Sequence, residues 1–187
     1  KKEFIGEGAY GKVFKIEDRR TDEIYAAKII NFQNMPAALI ENEISNLSMI
    51  NYPTVVHFIG YSLNGFDGDP SPTVVTDFLT GGSLDKILEK ERTGNSPVNW
   101  SATSRYIILF GLSIGMNHLH KVKIIHRDLK PANILLNENH YPVICDFGFS
   151  KSSDKRLSQF KLHTDLGTPF YRAPEILTGS YDFKIDI

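Results

Sequence analysis

Only one cysteine, Cys145, occurs among the 187 residues of this chain, so an internal disulfide framework is excluded. A single thiol fits a reducing compartment, and a cytoplasmic location is the expectation. Charge of one sign is also missing. Lysine and arginine number 21 against 22 aspartates and glutamates, a formal charge of −1. This balance excludes a general electrostatic grip on nucleic acid or on an anionic membrane. Long apolar runs are absent too. The longest, Ile107 to Met116, is interrupted by Gly111, Ser113 and Gly115, whereas a membrane span needs about 20 apolar residues. Lys1-Lys2 is followed at once by Glu3 and a glycine-rich stretch, so these residues are not expected to be a secretory leader. The chain does not begin with Met and stops just after Asp186, so both ends are expected to be cut from a longer protein.

What is present is an ordinary globular composition, with 41% hydrophobic and 23% charged residues. The apolar runs Val13 to Ile16 and Ile24 to Ile30 flank the polar turn Asp18 to Asp22, which predicts an antiparallel hairpin. Gly6, Gly8 and Gly11 place another strand and its turn before it. Pro36 suits the first position of a helix, and Ile40, Ile44 and Leu47 recur on one helical face. Glu43 is expected at the edge of that face. Val55 to Tyr61 and Thr73 to Phe78 read as strands, separated by the loop Asn64 to Pro72. After Gly81-Gly82 the pattern turns helical, with a short helix around Leu84, Ile87 and Leu88 and a long one from about Trp100 to His120.

Four constellations carry chemistry. Gly6-x-Gly8-x-x-Gly11-x-Val13 is followed by a β run, whereas a dinucleotide-binding loop is followed by a helix. Between strands, such a loop lets backbone N–H groups approach phosphates. Lys28 is a lone cation within an apolar run, costly unless paired, and Glu43 offers a carboxylate. In His126-Arg127-Asp128-Leu129-Lys130-Pro131-Ala132-Asn133, Asp128 can accept a proton from a hydroxyl. Lys130 can neutralise a phosphoryl group, and Asn133 can offer an oxygen to a metal ion. Asp146-Phe147-Gly148 follows the apolar Val143-Ile144-Cys145, and its carboxylate suits a hard cation. The intervening Ile134-Leu135-Leu136 and the turn Asn137-Glu138-Asn139 predict a hairpin that brings Asn133 and Asp146 together. Cys145 is a candidate reactive thiol, although buried strand cysteines are more often inert.

Taken in order, from the glycine loop through Ala26-Ala27-Lys28 and Glu43 to Ala173-Pro174-Glu175, the set resembles a eukaryotic protein kinase domain along essentially the whole chain. The resemblance implies an α+β, bilobal fold. Residues 1–79 would form a small antiparallel sheet lobe with one helix, and residues 80–187 a mainly helical, incomplete large lobe. It also implies ATP and Mg2+ as cofactors and phosphoryl transfer to serine or threonine of a protein substrate. In that reading the loop residues Ile5, Gly6, Glu7, Gly8, Ala9 and Gly11 cover the phosphates. Val13, Ala26 and Leu135 sandwich the adenine, Thr76 is the gatekeeper, and the backbone of Asp77 and Leu79 meets the adenine edge. Lys28 pairs with Glu43 and binds phosphates. Asp128 is the catalytic carboxylate, with Lys130 beside it, and Asn133 and Asp146 hold magnesium.

Lys130 and the run Gly167 to Arg172 resemble the serine/threonine type. Val75 to Leu79 and Gly81-Gly82-Ser83-Leu84 look like the tyrosine-kinase-like group. Thr168 would bond near Asp128 and Lys130, and Asp186 to the backbone around His126 and Arg127. Thr164 is the expected regulatory phosphosite, added by an upstream kinase and read by Arg127 and Lys151. Ser158 is a rival site. Truncation leaves a non-catalytic, ATP-binding or scaffolding role as the alternative, and part of the long helix is expected to lack cover.

Overall fold

The computed structural model describes residues 2–8, 11–31, 37–66, 68, 70–152, 168–178 and 181–187. Pro36, Ala9, Ser158 and Thr164 therefore lie outside the described residues.

Five strands form one antiparallel sheet: β1 (Lys2–Gly8), β2 (Gly11–Glu17), β3 (Ile24–Ile30), β4 (Phe58–Ser62) and β5 (Thr73–Asp77), in the order β1-β2-β3-β5-β4. The register sets Lys28 opposite Val13 on one side and Val74 on the other. Period-2 alternation therefore puts Val13, Ala26, Lys28, Val74 and Thr76 on one face. Helix α1 (Ala37–Ser48) packs on that face through Ile40 and Leu47. Glu43 is at the middle of its buried face and not at the edge, being 2% exposed.

The expected strand Val55 to Tyr61 is shorter than its apolar run. Strand β4 begins at Phe58, and Val55 forms an isolated bridge to Ile144. The Val56 amide donates to Ile144 O at 2.9 Å, and the Ile144 amide to Thr54 O at 2.9 Å. Residues 54–56 thus bracket a strand of the other half of the molecule, and their apolar side chains join the main core.

The second half contains α2 (Leu84–Arg92) and α3 (Ala102–Lys121), followed by β6 (Ile124–Ile125), the hairpin β7 (Ile134–Leu136)/β8 (Pro142–Ile144), and β9 (Lys151–Ser152), which pairs with β6. Ser101 caps α3, accepting from the Ser104 amide, while the Ser104 hydroxyl accepts from the Ser101 amide. The glycines that interrupt the apolar run have a packing role. A Cβ at Gly115 would lie 2.6 Å from Thr54 Oγ1, so the helix can approach residues 54–56 only without one. Tyr52 stacks on His118 of the same helix at 4.0 Å. The opposite side of α3 exposes Tyr106, Leu109 and Phe110. Among the described residues, no helix is long and apolar enough to cross a membrane.

Candidate active site

The sheet and the helical half meet around a cavity of about 500 Å³, a size suited to a small-molecule ligand. Of the residues expected to hold a nucleotide, Ile5, Gly6, Gly8, Gly11, Val13, Ala26, Lys28, Thr76, Asp77, Leu79, Leu135 and Asp146 all line it. Glu7 does not; it is exposed and pairs across the strands with Lys12. Ala9 lies outside the described residues. Sequence reasoning did not pick out Leu47, Val56 and Val74, which continue the cavity past Thr76 toward α1, or Ser83 and Lys86 at its mouth. Hydrophobic periodicity marks the first three only as core. The Asp77 N–H donates to His57 O at 3.1 Å, and the Asp77 carbonyl accepts from the Thr76 hydroxyl at 3.4 Å.

Deep in the cavity, Lys28 Nζ lies 2.8 Å from Glu43 Oε1 and 2.7 Å from Asp146 Oδ1. Burial alone would lower the lysine pKa, but the two carboxylates outweigh it and raise the ammonium above its ordinary value. At Asp146 burial works upward, yet the Lys28 charge and hydrogen bond prevail and hold the carboxyl below its usual range. At Glu43 burial outweighs Lys28 and the carboxyl is raised.

Pro131 opens a short 3-10 turn, Pro131–Asn133, that folds Asn133 back on Asp128. Asn133 Nδ2 donates to Asp128 O at 2.8 Å and to Oδ2 at 2.9 Å. Lys130 Nζ lies 2.8 Å from the same Oδ2. On the other oxygen, Oδ1, Asp128 accepts from both the amide and the hydroxyl of Thr168, at 2.8 and 2.9 Å. Lys130 Nζ in turn donates to Thr168 Oγ1 at 2.5 Å. The backbone beneath is held by Asp186, whose buried carboxylate accepts from the amides of His126 and Arg127, both at 2.8 Å. Arg127 has φ +66° and Asp146 φ +63°, conformations that surrounding contacts must enforce.

The hairpin β7/β8 brings Asn133 and Asp146 together, because the Cys145 amide donates to Asn133 O at 3.0 Å. Both residues line the cavity. One amide oxygen and one carboxylate form a hard, oxygen-only donor set, and magnesium takes few protein ligands, completing its shell with water and substrate phosphates. The residues present fit that ion. Among the described residues there is no group of three or more His, Cys, Asp or Glu side chains that could hold a metal ion. Cys145 is ill suited to reactivity. Burial, with Asp146 adding to it, pushes its thiol far up, and its Sγ donates to Asn133 O.

Arg127 is turned toward the segment after Asp146. Its Nε donates to Phe149 O at 2.5 Å, Nη1 to Tyr181 Oη at 3.2 Å and Nη2 to Ser150 O at 3.4 Å. Lys151 has its pKa lowered by burial and by the Arg127 charge.

The protein kinase domain model matches residues 1–187. The chain belongs to the protein kinase domain family. Its fold is accordingly the bilobal kinase fold, with the five-stranded sheet as the frame of one lobe. This kinase domain is 33% identical over 188 residues to sporulation-specific protein 1 of Saccharomyces cerevisiae, with 98% of the chain and 36% of that protein covered. It is 33% identical over 187 residues to serine/threonine-protein kinase dst1 of Dictyostelium discoideum, covering 99% of the chain and 24% of that protein. It is 32% identical over 189 residues to serine/threonine-protein kinase 1 of Arabidopsis thaliana, covering 98% of the chain and 21% of that protein. The kinase domain thus spans between 21% and 36% of these relatives' lengths.

Proposed function

We propose that this kinase domain transfers the γ-phosphoryl group of Mg-ATP to serine or threonine hydroxyls of proteins. Residues 1–79 then serve as the smaller lobe and 80–187 as part of the larger one, with the nucleotide between them. The observation that carries the reading is the environment of Asp128, which is 4% exposed and holds Lys130, Asn133 and Thr168 at once. Two relatives whose names specify serine/threonine kinases support the substrate class. The hinge Val75 to Leu79 with Gly81-Gly82-Ser83-Leu84 supports placement in the tyrosine-kinase-like group.

In the resting arrangement each Asp128 oxygen accepts two hydrogen bonds, which fills the four acceptor positions of a carboxylate. An incoming hydroxyl must displace one donor. Lys130 is the flexible one, and the phosphoryl group offers it replacement acceptors. Asp128 then orients the hydroxyl and takes its proton as the oxygen bonds to the γ-phosphorus. The bond from that phosphorus to the β-bridging oxygen breaks, and ADP leaves. Lys28, fixed by Glu43 and Asp146, presents charge to the phosphates. Val13, Ala26 and Leu135 enclose the base. Asn133 and Asp146 would hold magnesium, which would neutralise phosphate charge there. Arg127 and Lys151 together offer positive charge to a phosphate on the segment that contains Thr164, and an upstream kinase would supply it.

The binding half of this reading is tested by thermal melting, followed through Trp100 fluorescence. At 100-fold excess over its dissociation constant, Mg-ATP should add about 2.7 kcal/mol. The transition should move up by several degrees, and less with ATP and a chelator. An unshifted transition contradicts the reading.

A further inference from the structure

A second link between α1 and the segment after Asp146 involves no charge. Asn46 sits one turn beyond Glu43 and is 2% exposed. Its Nδ2 donates to Ser150 Oγ at 2.8 Å, and Ser150 is fully buried. The same hydroxyl donates to Phe147 O at 2.7 Å, and the Ser150 amide donates to that carbonyl at 2.9 Å. A tight turn is thereby closed over Phe147, whose ring is fully buried and lies edge-on to His126 at 5.0 Å. The ionic rung Glu43–Lys28–Asp146 grips the start of the segment. The neutral rung Asn46–Ser150 grips it four residues later, from the same face of α1.

We propose that Asn46 and Ser150 are positioning residues that make the placement of α1 depend on the placement of the Asp146–Ser150 turn. The inference rests on the proposed function for its consequence, since Asp146 must be in place to bind the nucleotide. The dependence is reciprocal, because one coupling free energy links the two placements. If the turn departs, the Asn46 amide is left buried without this acceptor, a costly state. Departure of α1 loses the same hydrogen bond. Displacing either element therefore favours displacement of the other, and Glu43 moves with α1.

The test compares the purified protein with its Ser150→Ala, Asn46→Leu and doubly substituted variants. Hydrogen–deuterium exchange is read at α1 amides 44–48 and at β1–β3, together with dissociation constants for Mg-ATP and for adenosine. Ser150→Ala should speed α1 exchange and weaken Mg-ATP by roughly threefold to tenfold, the worth of one net hydrogen bond. Exchange in β1–β3 and adenosine affinity should not change. Asn46→Leu should do less, and adding it to Ser150→Ala should recover part of the loss. Unchanged α1 exchange in Ser150→Ala, equal acceleration throughout the sheet, or strictly additive losses in the double variant would overturn the proposal. Failure of the unsubstituted protein to bind adenine nucleotide would instead count against the proposed function, and α1 exchange would still decide the link.

Discussion

Thr168 donates both its amide and its hydroxyl to one oxygen of Asp128, at 2.8 and 2.9 Å, and so joins two stretches of chain forty residues apart. The hydroxyl also accepts from Lys130. Removing it unseats two groups of the site and leaves the nucleotide cavity intact.

Thr168→Ala should therefore lower kcat for protein phosphorylation by about tenfold to hundredfold, since a hydrogen bond to a charged group is worth ~1.5–3 kcal/mol. The KM for ATP should hardly move, and Thr168→Ser should recover most of the rate. A KM effect with unchanged kcat would contradict this assignment.

The glycines of the loop should separate folding from binding. Gly11 has φ +156°, and a Cβ there would lie 2.0 Å from the backbone oxygen of Ile29 on the paired strand. Gly6 and Gly8 meet nothing within 4 Å. Gly11→Ala should cost at least about 2 kcal/mol, lowering Tm by roughly 4–8 °C in a chain of this size. Gly6→Ala and Gly8→Ala should melt as the parent does, so that any loss they show is in nucleotide affinity. Equal melting of all three variants would refute this reading of the loop.

Asp186 supports the loop from below. Asp186→Ala strands the buried amide of His126, at about 1–3 kcal/mol, together with the half-buried amide of Arg127, and should lower both Tm and phosphoryl transfer. Asp186→Asn keeps one acceptor oxygen and should fall between. The check is a melt of each variant. A loss of transfer with Tm unchanged would show that the carboxylate does more than hold the backbone.

The pairing of Lys28 has a pH signature. Its pKa is raised in the folded chain because Asp146 and Glu43 outweigh burial. The stability it contributes is then fully present below the free lysine value, about 10.4, and is lost only as pH rises through the higher folded value. Resonances of the Lys28 side chain should show no titration up to about pH 10.4. Titration at or below the free value would mean that the two carboxylates do not hold the ammonium.

Much of this was readable from the residues. Apolar runs and the polar turns between them placed β2, β3 and β5, and the hairpin from Ile134 to Ile144 brings Asn133 beside Asp146 as the spacing implied. The partner of Lys28 could be named because a lone cation in an apolar run needs one. What stayed hidden was polar burial. Helical periodicity counts Asn46 as a surface residue, yet it is 2% exposed, and its acceptor Ser150 lies 104 residues away. Glu43 was put at the rim of its helix face for the same reason. Val55 and Val56 have β-branched, strand-like side chains, but their backbone bonds go to Ile144 of the other half. Long-range backbone partners leave no mark in a local pattern.

The central claim is that Asp128 receives the substrate proton while the nucleotide is held by other residues. The direct measurement is transfer of labelled γ-phosphate to a serine- and threonine-containing protein by Asp128→Asn, with Mg-ATP affinity read on the same sample. Transfer should fall by at least about a hundredfold, the usual share of a general base, while Mg-ATP affinity stays within a few-fold of the parent. Transfer at the parent's rate by the Asn variant would contradict the account.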